Sequence, residues 1–78
     1  MESTRYEVHY IFSRTKSEIK DVILCWCPSI DEAKNRIEKN KKKVPNAKAY
    51  LIYDTEEVLP VKERDQWSKY KCVHKEYL

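Results

Sequence analysis

Two pairs of soft donor atoms are the first residues with chemical potential: Cys25-x-Cys27 and Cys72-x-His74. Three thiols and an imidazole are an inventory that binds zinc tetrahedrally. On a strand, residues i and i+2 project to one face, so each pair would converge. Structural zinc sites, however, usually place two to four residues between paired ligands, commonly in glycine-bearing knuckles, and this chain has no glycine. Cysteine is also among the most buried residue types and packs as a small hydrophobe. A small zinc domain is therefore a distant alternative, and neither a metal nor a cofactor is expected. Cys25 or Cys27 with His9 or His74 would supply a thiol nucleophile and a base, yet no third group to orient the imidazole is identifiable. No catalytic residue is assigned, and the expectation is a protein that is not an enzyme. The absence of glycine also removes the phosphate-cradling loops of P-loop and dinucleotide-binding proteins.

The second constellation is electrostatic. Residues 34–48 hold seven bases (Lys34, Arg36, Lys39, Lys41, Lys42, Lys43, Lys48) and one acid, Glu38, so this window carries +6 and the remainder −3 within a total of +3. A basic helix end can hold phosphates by counterion release. Arg36, Lys39, Lys41, Lys42, Lys43 and Lys48 are the candidate nucleic-acid contacts. Lysine prevails over arginine and no aromatic interleaves, so base-specific or stacking readout is not signalled. The solvated back of an amphipathic helix is the favoured reading of this cluster.

Aromatic side chains form the third. Tyr6, Tyr10, Phe12 and Trp26 lie on apolar faces and are assigned to the core. Trp67, Tyr70 and Tyr77 alternate with lysines near the end of the chain, a mixture enriched at protein–protein hot spots. With the charged group Asp54, Glu56 and Glu57 they are the candidate partner-binding residues. Closure over an open sheet face is the ordinary alternative for the three aromatics.

These groups need a scaffold. A chain of 78 residues holds one domain with a thin core, burying about 60% of its unfolded surface. Residues 5–13 alternate, with Tyr6, Val8, Tyr10 and Phe12 on one face, and predict a half-buried strand. Residues 19–27 predict a second strand. Val22, Leu24 and Trp26 lie on one of its faces and Ile23, Cys25 and Cys27 on the other, and apolar character on both implies an interior position. Ser29 and Glu32 form a capping box that opens a helix, Ile30, Ala33, Ile37 and Val44 supply its stripe, and Pro45 ends it. Residues 47–54 predict a third strand, 54–57 a turn, and 58–61 a short edge strand interrupted by Pro60. Trp67, Tyr70, His74 and Tyr77 fall at helical spacing, and residues 70–74 also alternate; the reading leans to helix. The result is a small α+β domain, strand–strand–helix–strand plus an open C-terminal element, compatible with a β-grasp or with a similar sheet carrying one packed helix.

An odd number of cysteines and no secretory pattern at the start imply a reducing, cytoplasmic setting, and no apolar run approaches the length of a membrane span. In size, lysine content and lack of a catalytic motif, the chain looks like the short accessory proteins of bacteriophages and mobile elements. That likeness implies stoichiometric binding to a larger host protein, as an inhibitor or modulator, in the host cytoplasm.

Overall fold

A computed structural model describes residues 4–15, 18–43, 47–64 and 68–77, with the backbone alone for 12–15 and 18–21. Four strands and one α-helix follow in the order β1 (Tyr6–Thr15), β2 (Glu18–Cys27), α1 (Ile30–Lys43), β3 (Ala47–Val58) and β4 (Tyr70–Tyr77), with a 3-10 turn at Val61–Glu63. The strands form one sheet in the order β2-β1-β3-β4, and every neighbouring pair is antiparallel. The mixed sheet of a β-grasp is thereby replaced by the other arrangement the sequence left open, an antiparallel sheet with one helix on a face.

The helix forms where its capping signal places it. Ser29 Oγ accepts from the Glu32 N–H at 3.2 Å, and the Ser29 carbonyl accepts the first helical bond from Ala33 at 3.1 Å. Asp31 and Glu32 occupy the first turn and Lys41, Lys42 and Lys43 the last, each sign matching the helix dipole. Ala33 and Ile37 are buried against Val8, Cys27, Ala47, Tyr50 and Ile52, with Tyr6, Tyr10, Leu24, Cys25 and Ile30 packed at the margin. The buried Tyr50 hydroxyl accepts from Asn40 Nδ2 at 2.9 Å, so burial of that polar tip is compensated. Val44 and Pro45, expected to close the helix, lie outside the described residues.

The opposite sheet face is also apolar at its centre. Ile11, Ala49, Leu51 and Tyr53 cluster there with Tyr70 and Cys72, and the buried His9 ring meets Tyr53 edge-on at 4.8 Å between centroids. The alternation of β1 is what feeds both clusters, Val8 to one and Ile11 to the other.

Four sequence expectations are corrected. β2 is an edge strand, not an interior one. Its two apolar faces arise because α1 covers one while Ile23 and Trp26 stay exposed on the other. Second, the 54–57 segment is no turn: β3 runs on to Val58, held by Thr55, whose N–H donates to the Arg5 carbonyl at 2.9 Å. Third, the short strand at 58–61 is absent; Val58 ends β3 and Pro60 precedes the 3-10 turn, while Leu59 N–H donates to the Lys69 carbonyl at 2.9 Å. Fourth, the C-terminal segment is strand β4 and not a helix, because β3 offers its unpaired edge to the alternating residues Tyr70–Tyr77.

Candidate functional site

The register of β1 on β2 explains why an aromatic of β2, Trp26, is exposed. Val8 pairs with Cys25 and His9 with Ile23, so Leu24 is an extra residue, a β-bulge. The bulge breaks the two-residue period. Leu24, Cys25 and Cys27 pack with the helix-side core, while Trp26 pairs with Glu7 on the opposite face. Trp26 is thus separated from Val22 and Leu24, contrary to the alternation read from sequence, and leaves the core with 53% of its surface exposed. Its indole Nε1 donates to Glu7 Oε2 at 3.2 Å, and the other Glu7 oxygen bonds His9 Nε2. Glu7, His9 and Tyr53 therefore brace an exposed indole against a buried polar group. Ile23, 45% exposed, lies two ladder positions away on β2.

On the helix side of β2 lies a groove of about 140 Å³ lined by Leu24, Cys25, Arg36, Lys39, Asn40 and Lys43. Arg36, Lys39 and Lys43 fall at i, i+3 and i+7 and so share one helical stripe. A neighbouring hollow continues along Glu32, Asn35, Arg36 and Lys39. Burial, reinforced by the Cys27 sulfur 3.7 Å away, pushes the Cys25 thiol up to about 11, which keeps it protonated and poorly nucleophilic near neutrality.

The candidate partner residues do not converge. Asp54 is buried, its carboxylate accepting from Arg5 Nε at 2.8 Å and Arg5 NH2 at 2.7 Å, so it serves the β1–β3 junction and not a surface. Those guanidinium hydrogen bonds hold the Asp54 carboxyl below the usual carboxylate range. Glu56 is exposed beside Arg5 NH1 at 3.2 Å, and Glu57 is exposed with Lys71 Nζ at 3.7 Å. Tyr70 is half-buried against the second cluster, with Lys69 Nζ 5.4 Å from its ring centroid. Tyr77 is 74% exposed at the far end of β4, opposite Ala49, about 16 Å along β3 from Asp54. Trp67 lies outside the described residues.

Of the candidate nucleic-acid contacts, Arg36, Lys39, Lys42, Lys43 and Lys48 are exposed, whereas Lys41 is held by Glu38 at 2.9 Å and by Glu76 of β4. The four zinc-type donors are divided between β2 and β4, opposite edges of the sheet about 14 Å apart. Among the described residues no group of three metal-ligating side chains comes together. Cys25 packs on the helix side while His9 meets Tyr53 on the other face, so the sheet stands between that thiol and that imidazole. Cys72 donates its thiol hydrogen to the His74 carbonyl at 3.3 Å. No described helix is long and apolar enough to cross a membrane.

Trp26 and Ile23 are the surface residues that periodicity missed. The signal would have been the bulge at Leu24, and no glycine marks it. Comparison with protein-family models, curated proteins and solved structures finds no match for this chain.

Proposed function

We propose that this chain is a non-enzymatic binding domain that acts stoichiometrically, occupying a surface on a larger protein as an inhibitor or modulator of the phage-encoded type. The observation supporting this most directly is the exposed Trp26 held in place by Glu7. A large aromatic fixed before binding loses little freedom on contact, which is the property of a hot-spot anchor. Tyr77 adds a second exposed aromatic at the opposite edge.

The test is affinity capture from a nuclease-treated lysate with the native chain, Trp26→Ala and Tyr77→Ala. A discrete partner retained by the native chain and lost with Trp26→Ala supports the reading. Retention unchanged in both variants, or disappearing with nuclease, overturns it.

A second reading is favoured by one observation, the shared stripe of Arg36, Lys39 and Lys43. It makes the chain a nucleic-acid-associated protein bound mainly by charge, whose retention on a polyanion column weakens steeply with salt.

A further inference from the structure

The two edges of the sheet are protected differently. The outer strand β4 exposes Lys71, Val73, Lys75 and Tyr77 in alternation with its inward residues, and the two lysines on this edge discourage pairing with another strand. In β2 the last six residues, Val22-Ile23-Leu24-Cys25-Trp26-Cys27, carry neither a charge nor a proline. No described strand lies on the outer side of β2, so its outward N–H and C=O groups form an open ladder, interrupted once by the bulge at Leu24. Directly above it, on the helix side, stand Arg36, Lys39 and Lys43 around the groove. Below it, on the opposite face, stand Trp26 and Ile23.

From this juxtaposition we infer that β2 is a strand-addition site for an extended acidic segment of a partner protein. The segment carries Asp or Glu at alternate positions toward α1 and apolar residues toward Trp26 and Ile23. This rests on the protein-binding reading above and names the partner's chemistry. Alternate residues on a strand lie about 6.7 Å apart. Lys39 and Lys43 are separated by about 6 Å along the helix axis, a spacing close to that of alternate acidic side chains on the added strand.

Charge selects this occupant over a second copy. Two-fold pairing of β2 with itself would bring two copies of the Arg36, Lys39 and Lys43 stripe alongside each other within about a Debye length. Backbone chemistry selects it over nucleic acid. A strand edge alternates donors with acceptors, which another peptide backbone complements and a phosphate chain, offering only acceptors, does not. The cations and Trp26 also lie on opposite faces of the sheet, so one strand of nucleic acid cannot pair its phosphates with the first while stacking bases on the second.

The experiment uses the full chain with a synthetic peptide alternating Glu and Val. Its controls are the same peptide with Lys for Glu, the same peptide with a central proline, and a single-stranded oligonucleotide of equal charge. Amide hydrogen exchange of β2 and β4 and the peptide affinity are measured. The Glu–Val peptide is expected to slow exchange in β2 and not in β4, the lysine and proline forms are expected to fail, and R36E/K39E/K43E is expected to weaken binding at least tenfold while admitting the Lys–Val form. Failure of the Glu–Val peptide to slow β2 exchange at millimolar concentration overturns the inference, as does binding insensitive to the charge reversal. Oligonucleotide binding with unchanged β2 exchange, unaccompanied by a peptide effect, shows polyanion attraction instead. A concentration-dependent dimer with β2 protected before peptide is added shows that the occupant is a second copy. A lysate partner lost with Trp26→Ala but indifferent to R36E/K39E/K43E leaves the protein-binding reading standing and this one fallen; absence of any Trp26-dependent partner removes the reading beneath it.

Discussion

Arg5 and Asp54 are 49 residues apart in sequence and meet through two parallel hydrogen bonds, Nε to Oδ1 at 2.8 Å and NH2 to Oδ2 at 2.7 Å. The fork geometry is the strong form of the arginine–carboxylate pair. Around it, Glu56 N–H donates to Asp54 Oδ1 at 3.0 Å, and the Thr55 hydroxyl donates to the Arg5 carbonyl at 2.5 Å. The start of β1 is thereby fastened to the second half of β3, and a segment with turn composition becomes strand.

The pH dependence follows from that pair. The folded-state pKa of Asp54 is lowered, first by the Arg5 hydrogen bonds. Its contribution is fully present above the unfolded value of about 3.9 and is lost as pH falls through the folded value. Urea midpoints should therefore decline below about pH 4 in the native chain. Asp54→Asn should flatten that decline and cost about 1–2 kcal/mol at pH 7, a modest figure because the Arg5 side chain, 36% exposed, can return to water. An unchanged acid limb in Asp54→Asn would show that other carboxylates govern it.

Exposure separates the two aromatics of the braced network. Trp26→Ala removes a half-exposed ring and should change stability by less than about 1 kcal/mol. Tyr53→Ala empties a fully buried site beside His9 and Leu51 and should cost about 3 kcal/mol or more. Chemical denaturation of both variants distinguishes them. Comparable losses would place Trp26 in the core after all.

The contrast between legible and illegible parts of this fold has physical causes. α1 was readable because its signals are local: Ser29 and Glu32 sit three residues apart, and Ala33 and Ile37 repeat at helical spacing. β1 was readable because one strand period feeds two cores. The length of β3 was not, since Asp54 to Glu57 has turn composition and the partner that overrides it, Arg5, is remote in sequence. β4 was ambiguous because Tyr70, His74 and Tyr77 satisfy a helical spacing while their neighbours alternate, and only the free edge of β3 decides between them. The site suffered most, because one inserted residue at Leu24 moves Trp26 to the other face.

Cysteine chemistry offers a check on the groove. With its pKa at about 11, Cys25 should alkylate at pH 8 at least about ten times more slowly than a thiol of pKa near 8.5, the scarcer thiolate being partly offset by its greater nucleophilicity, and its rate should rise about tenfold per pH unit up to that value. Site-resolved mass spectrometry after brief iodoacetamide treatment of the folded chain measures this. A plateau near pH 8.5 would mean that the groove around Leu24 and Cys25 is wetter than the packing against α1 implies.

The lysines at the end of α1 are not equivalent, although the sequence presents them as one cluster. Lys41 reaches both Glu38, one turn back, and Glu76 on β4, and these carboxylates raise its pKa, Glu76 foremost. Glu76 is correspondingly lowered by Lys41. The Lys41 contribution is present below the unfolded lysine value of about 10.4 and is lost as pH rises through the folded one; that of Glu76 is lost as pH falls below about 4. Lys42 and Lys43 are exposed. Lys41→Glu should therefore lower the urea midpoint more than Lys42→Glu or Lys43→Glu, because it sets three carboxylates together where the helix end meets the sheet. Polyanion retention should respond in the opposite order, falling more with Lys43→Glu, on the stripe with Arg36 and Lys39, than with Lys41→Glu once folding is verified. Equal midpoints in all three variants would show that the Lys41–Glu76 bridge adds nothing to the docking of α1 on the sheet.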